Sequence, residues 1–479
     1  MNRVKIIATI GPCTEGAAAL RELHRAGMDV ARLNGSHADL AWHARTIAAL
    51  RETLPEVPVL LDLPGSKIRT ANLACERPVA AGERVVLTVD RAYRGRDKVL
   101  VDHPDLQESL SVGDVLLVDD GSLRLTVKEL AGLDVCCQAE NAAVLRSRKG
   151  IQMQGVPLRG DFLSARDKQL LSFACEQKAD YVGLSFVEAA AQVEAVRVLV
   201  GKDGPGLVAK IETQGAMDHL EDIVRVSDAL MIDRGDLSVE TNLEHIALLQ
   251  KAILAKAGQA ARPVIVATQM LHSMIDNPVP TKAEVSDITN AVLEGAAALM
   301  LSAETAMGRF PVEAVSLMRR VADAASEHLQ EQIRRENGHK ADSIPQAIAD
   351  AIALICRRLE ITKVVVITIS GYAGRMIAAR MPDQPILAVS NDPQAARSFN
   401  LYRGTKGIYV NARFSRNSME HVPQVLETLW RRGELLDEDL VLVTTVGYPK
   451  SGNRMNLIET HRVADLRDNL GWRRHERAA

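Results

Sequence analysis

At 479 residues, 47% apolar and 25% charged, the chain has the makeup of soluble globular domains, about three at roughly 150 residues each. A net charge of −3 offers no field for nucleic acid or a membrane surface, and 3% aromatics leave few rings for base-stacking platforms. The opening "MNRVKIIATIG" turns polar too soon for a signal peptide and no apolar run nears the ~20 residues of a membrane span, so a cytoplasmic protein is expected.

"KIIATI", "DVARLN" and "VPVLLDL" are short apolar runs that read as strands. "TEGAAALRELHRAG" and "DLAWHARTIAALRETL" between them carry helical periodicity. Such alternation builds a parallel sheet with helices outside it. From 71 to 157 the pattern changes to period-two segments, "RVVLTV", "DVLLVDDGSLRLTVKEL" and "LDVCCQAE", broken by Gly, Asp and Asn turns with no helix evident. This reads as a small all-β insertion. Cys136 and Cys137 fall within it and are assigned to core packing; six scattered cysteines make no disulfide framework and suit a reduced compartment.

Alternation resumes with "SARDKQLLSFACEQK", which opens on a capping box, Asp167 standing in for the usual Glu three residues after Ser164. The strands "YVGLSF", "LVAKIE", "ALMIDR", "VIVATQ" and "AALMLSAE" follow, separated by helical segments. Three strands before the insertion and five after it make eight βα units, which predicts a closed (β/α)8 TIM barrel. The charged "EHLQEQIRRENGHKADS" reads as a helix running into a linker. Beyond it "KVVVITIS", "PILAVS", "GIYV" and "DLVLVTTVG" alternate with helices, as in a separate doubly wound α/β domain. The expected divisions are a barrel over 1–70 and 158–340, the β-rich insertion over 71–157 and the α/β domain over 341–479.

Barrels of this kind carry their chemistry at strand C-termini. The polar residues fall there: Arg32 and Asn34 end the second strand, Asp62 the third, and Lys210 and Glu212 the fifth. Asp236 follows the sixth, Thr268 ends the seventh, and Ser302 and Glu304 end the eighth. Period-two alternation puts Lys210 and Glu212 on one side of their strand. Carboxylates from adjacent strands, Glu212 and Asp236, suit a hard divalent cation, Mg²⁺ or Mn²⁺, that keeps several waters. Arg32, beside Asn, Ser and His in "ARLNGSH", suits a phosphate or carboxylate, or ties loops together.

These motifs together resemble the pyruvate kinase family nearly end to end. The segments that carry the likeness include "ATIGP", "GMDVARLNGSH", "LLDLPGSKIRT", "VDDGSL", "AKIET", "DRGDLSVE", "ATQMLHSMIDNPVPTKAEVSDITNAVLEG", "MLSAETAMGRFPVEAV" and "LYRG". The resemblance implies a phosphotransferase of the last step of glycolysis, passing a phosphoryl group from phosphoenolpyruvate to ADP. It also implies a catalytic barrel, a β-rich lid, a C-terminal effector domain and a homotetramer. Carried over by motif, Arg32 would hold the substrate phosphate, Glu212 and Asp236 the Mg²⁺, and Gly235 and Ser302 would line the substrate. Lys210 would neutralise the moving phosphoryl group, and Thr268 would order the protonation of the enolate. Arg69, His37 and Lys149 would face the nucleotide phosphates.

The chain departs from the family where a Thr and a Glu are usual in the third-strand motif and it has Leu63 and Lys67. By resemblance Asn34, Ser36 and Asp62 belong to the K⁺ region, so a tethered ammonium on Lys67 is expected to replace the monovalent cation, and K⁺ is expected not to be required. Asp233 stands where alanine is usual, Ala303 where glycine is, and Gly35 where a bulky residue is. Gln152 and Gln154 alter the usual lid hinge. In the last domain, Thr368, Ser370, Gly371 and Arg375 form a candidate effector loop, with Lys450 and Arg454 completing an anion pocket for a phosphorylated effector. A Mg²⁺-enolate lyase and a non-catalytic sensor are the alternatives. Arg69 and Lys149 argue against the first, the full catalytic set against the second.

Overall fold

The computed structural model describes residues 3–473 apart from 66–67, 72, 74, 104–105, 120, 154–160, 334–342, 415–418 and 446–454. Lys67, Gln154, Lys450 and Arg454 therefore lie outside the described residues. Eight strands close a parallel barrel: β1 Lys5–Thr9, β2 Val30–Asn34, β3 Val59–Asp62, β4 Tyr181–Leu184, β5 Gly206–Ile211, β6 Ala229–Asp233, β7 Val264–Ala267 and β8 Ala298–Leu301. Each pairs with its neighbours in chain order, and β8 returns to β1 in the register Lys5–Ala298 through Ala8–Leu301. Strands covered by helices outside and by each other inside are apolar at every position. That is why "KIIAT" is buried along its whole length.

The helix starts are chemically marked. Asp39 accepts from the Trp42 N–H, and Thr281 and Glu284 form a capping box. The box expected at Ser164 and Asp167 is present in both directions. Each such cap is worth about 1 kcal/mol to its helix.

Between β3 and β4 the chain makes a seven-stranded sheet and a two-stranded ribbon. One helical turn, Leu106–Ser109, sits among the strands; it was not expected, because four residues are too few to show a helical period. Cys136 and Cys137 are both buried, as expected. Cys137 packs into the core of this domain with Val135 and Ala139, while Cys136 faces the other way and is covered by Arg84, whose Nη2 lies 3.0 Å from its Sγ. The register against the strand Leu123–Ala131 shifts between the two.

The C-terminal sheet contains β9 Lys363–Ile367, β10 Ile386–Ser390, β11 Thr405–Tyr409, β12 Leu440–Thr445 and β13 Leu457–Arg462, in the order β11-β10-β9-β12-β13. The first four are parallel, while β13 is an antiparallel edge strand absent from the sequence reading. This domain is fastened beneath the barrel, against the starts of its strands. Tyr181 Oη donates to the Ser398 carbonyl at 2.7 Å, Arg397 Nε to Asp180 at 3.0 Å, and Lys5 Nζ to the Thr405 carbonyl at 2.8 Å. A single apolar cluster runs from Ile7, Leu60 and Val208 inside the barrel to Met376 and Phe399. No helix among the described residues is long and apolar enough to cross a membrane.

Candidate active site

The C-terminal ends of β2, β3, β5 and β6 converge on Lys210. Its Nζ lies 2.5 Å from Glu212, 3.3 Å from Asp233 and 3.7 Å from Asp62, and donates to Ser185 Oγ at 3.0 Å. Burial alone would lower the lysine's pKa. The attraction of Asp62, Glu212 and Asp233 outweighs it and raises the pKa well above the ordinary value, so the ammonium is fixed. Ser185 passes its own proton to the Leu63 carbonyl at 2.8 Å, which orients its lone pairs toward the lysine.

Arg32 is held as firmly. Its Nη2 and Nε donate to Asp62 Oδ2 at 2.5 and 3.2 Å, and its Nη1 to Thr9 Oγ1 at 3.0 Å. Among the described residues three of the five guanidinium N–H groups are thus used, and two remain for a ligand. Asp62 fits there because position 183 has no side chain: a Cβ on Gly183 would stand 2.2 Å from Asp62 Oδ1. The Gly35 departure has the same origin, since a Cβ there would meet the Asp62 carbonyl at 2.7 Å and Leu170 at 2.8 Å.

Glu212, Asp233 and Asp236 each place one carboxylate oxygen within 4.8 Å of the others. Glu212 accepts from the Phe186 N–H at 2.7 Å. Its pKa is pushed up, first by complete burial and then by the neighbouring Asp233 and Asp236, with Lys210 opposing. Among the described residues, Asp62, Glu212, Asp233 and Asp236 bring four carboxyl groups and Arg32 and Lys210 two cations to this mostly buried cluster. Carboxyl groups this close raise one another's affinity for a proton or a cation, and an all-oxygen donor set suits Mg²⁺ or Mn²⁺. Glu212 and Asp236 were expected as ligands from the sequence; the structure adds Asp233, noted there only as a departure.

Thr268 joins this centre from β7. Its Oγ1 accepts from the Gly235 N–H at 2.9 Å and donates to the Ala267 carbonyl at 2.6 Å. Thr268 and Gln269 both adopt left-handed backbone, φ 66° and 54°. Two such residues in succession cost energy, offset here by Arg234, which donates to the Thr268 carbonyl at 2.6 Å and to Asp287 at 2.6 Å. Beside them Ser302 gives its N–H to Glu304 at 2.8 Å, and Glu304 also takes the Leu271 N–H at 3.2 Å, binding the loops after β7 and β8 together.

The lid reaches into the same centre. Gln152, on the strand Gly150–Met153, is buried and donates from Nε2 to Asp236 Oδ1 at 2.8 Å. No sequence signal pointed to this bond. Arg69 and Lys149 lie at the lid's base, where Arg69 Nη1 donates to the Arg148 carbonyl at 3.1 Å and Lys149 Nζ pairs with Asp119 at 2.8 Å. Ser36 and His37 are exposed on the loop after β2, Asn34 Oδ1 accepts the Ser36 N–H at 3.1 Å, and Leu63 is buried. In the C-terminal domain Thr368 Oγ1 accepts from Gly371, whose φ of 72° closes the loop; Ser370 is exposed and Arg375 half-buried.

A family model described as "Pyruvate kinase, barrel domain" matches residues 1–315, and one described as "Pyruvate kinase, alpha/beta domain" matches residues 346–461. Among curated relatives, the pyruvate kinase of Agrobacterium vitis is 40% identical, covering 85% of this chain and 86% of that protein. That of Mycobacterium intracellulare is 37% identical over 97% of this chain and 99% of its own. That of Clostridium perfringens is 33% identical, covering 96% of this chain and all of the relative. With the barrel, the lid, the α/β domain and the lysine-centred carboxylate cluster all accounted for, the chain belongs to the pyruvate kinase family of phosphotransferases.

Proposed function

We propose that the chain transfers the phosphoryl group of phosphoenolpyruvate to ADP, forming pyruvate and ATP, and does so without K⁺. The observation that carries the catalytic reading is the carboxylate cluster beside Lys210, where Glu212, Asp233 and Asp236 bring oxygens within 4.8 Å of one another, the donor set a hard divalent cation takes. Glu212, Asp236 and Asp233 would hold that Mg²⁺, which when bound supplies positive charge to the substrate oxygens. Arg32 offers its two spare N–H groups to the phosphate, preorganised by Asp62. Lys210 carries a permanent positive charge for the oxygens of the moving phosphoryl group. Phosphoryl transfer needs little else, since its transition state is loose and spread over oxygen atoms. Gly235 and Ser302 line the substrate, and Thr268 orders the proton delivered to the enolate carbon. Arg69, Lys149 and His37 meet the nucleotide as the lid closes and excludes water.

K⁺ independence rests on the third-strand motif. Leu63 offers no hydroxyl ligand, and Asp62 Oδ2 is already committed to Arg32. The ammonium of Lys67 then takes the place of the monovalent cation among Asn34, Ser36 and Asp62. We further propose a homotetramer answering to a phosphorylated effector at the Thr368–Gly371 loop with Arg375, Lys450 and Arg454.

Coupled measurement of pyruvate formation in K⁺-free and K⁺-containing buffer tests this reading. Equal rates are expected, with Lys67→Glu lowering the K⁺-free rate and introducing a response to K⁺. A rise of about tenfold on adding K⁺ to the native enzyme would overturn K⁺ independence, and no ADP-dependent pyruvate would overturn the catalytic assignment.

A further inference from the structure

On the opposite side of the barrel from the catalytic centre, a cavity of about 220 Å³ opens between the barrel and the C-terminal domain. Its charged lining is unusual. Arg262, on the turn leading into β7, and Arg375, in the helix Tyr372–Ala378, both face it with half-buried side chains, and Arg403 lies beside them. Arg262 Nε and Arg375 Nε are buried and have no hydrogen-bond partner among the described residues. Arg262 uses one Nη2 hydrogen on the Arg225 carbonyl at 2.7 Å, and Arg403 is bonded to the Ala296 carbonyl at 3.2 Å and to Ser326. The one carboxylate in the lining, Glu294, is turned to Gln250 and Lys251. Asp228, the other acid close enough to act on Arg262, is bound to Arg197 at 2.7 Å.

Two guanidinium groups have therefore been brought to one cavity with no carboxylate between them among the described residues. Burial, and then repulsion from Arg375, lowers the pKa of Arg262 to about 10. Buried charge without a counter-charge is costly, and the contacts these arginines do make, to the Arg225 carbonyl and the Tyr372 ring, are to neutral groups. Guanidinium groups with free N–H donors bind phosphate in forked geometry, and the remaining walls, Leu254, Ala378, Ala379 and Met381, are apolar and would accept a ring.

We propose that this cavity is a binding site for an organic phosphate monoester, with Arg262 and Arg375 as its counter-charges and the apolar wall taking the esterified group. The site shares Arg375 with the proposed effector loop but faces the barrel, away from the exposed Ser370 and from the catalytic mouth, and Arg262 belongs to it alone. A ligand there touches both domains at once and clamps the barrel to the α/β domain.

The test uses the full-length protein and phenyl phosphate as the probe, with phenol and inorganic phosphate as the two half-ligands, by calorimetry and thermal melting. Phenyl phosphate is expected to bind more tightly than either half, to raise the melting temperature, and to remain bound when phosphoenolpyruvate saturates the catalytic site. Arg262→Gln is expected to weaken it at least tenfold, and Arg375→Gln likewise, which keeps the test open should one variant fold poorly. Unchanged affinity in both variants, displacement by phosphoenolpyruvate, or no binding at millimolar probe would overturn the proposal. Because turnover is not the readout, the result is independent of the catalytic reading.

Discussion

Gly183 belongs to no motif and touches no substrate group, yet its replacement by alanine should disable the enzyme. The added Cβ would lie 2.2 Å from Asp62 Oδ1 and 3.2 Å from its Cγ, so the carboxylate must retreat by roughly 1 Å to reach ordinary contact. The Gly183 backbone is not left-handed, so the effect is steric rather than conformational. Retreat breaks one or both of the bonds by which Asp62 aims Arg32, now 2.5 and 3.2 Å long. Hydrogen bonds to charged groups are worth about 1.5–3 kcal/mol each, which corresponds to roughly 10- to 150-fold in kcat/KM if the bond matters in the transition state. Overpacking adds about 1–3 kcal/mol of destabilisation, seen as a melting temperature lowered by a few degrees. Coupled steady-state kinetics on folded Gly183→Ala measures the first term and thermal melting the second. The decisive comparison is a double-mutant cycle: on an Asp62→Ala background, Gly183→Ala should cost little more activity. A folded Gly183→Ala with kcat/KM within twofold of native would refute the reasoning, because Asp62 would then not be the element that positions Arg32.

Two other perturbations address the same cluster. Lys210→Met should lower kcat by about 10²- to 10³-fold or more, and should destabilise the fold because Asp62, Glu212 and Asp233 lose their shared counter-charge. A kcat within tenfold of native, measured on folded protein, would remove Lys210 from the reaction. Asp233→Ala removes one of the three grouped carboxylates and should weaken Mn²⁺ binding by about tenfold, read by calorimetry or by the paramagnetic resonance of free Mn²⁺. An unchanged dissociation constant would show that only Glu212 and Asp236 hold the cation.

The barrel was legible because its strands are covered on both faces, so each appears as an uninterrupted apolar run that can be counted. The polar residues ending those runs were legible for the same reason: Arg32, Lys210 and Glu212 interrupt apolar stretches, and although each alone could be a structural ion pair or loop tie, together they mark a site. β13 was not visible because "LIETHR" is a half-exposed antiparallel edge whose pattern carries little signal alone. The Asp233 substitution could be seen, but its partnership with Glu212 and Asp236 required the curvature of the barrel to bring adjacent strands together. Gly183 was silent because it matters by what it lacks. Gln152 stood out only as a departure in the lid hinge, because its contact with Asp236 is made across 84 positions of chain.

That contact gives the lid an energetic role as well as a protective one. Gln152 holds an oxygen of Asp236, a residue of the carboxylate cluster, so seating of the β-domain and occupation of the cation site share one hydrogen bond. Linkage is reciprocal: whatever factor the seated lid contributes to cation affinity, the bound cation returns to the population of seated lids. With Asp236 as a ligand in the proposed cation site, loading and closing become two views of a single equilibrium, linked through an amide on a different domain.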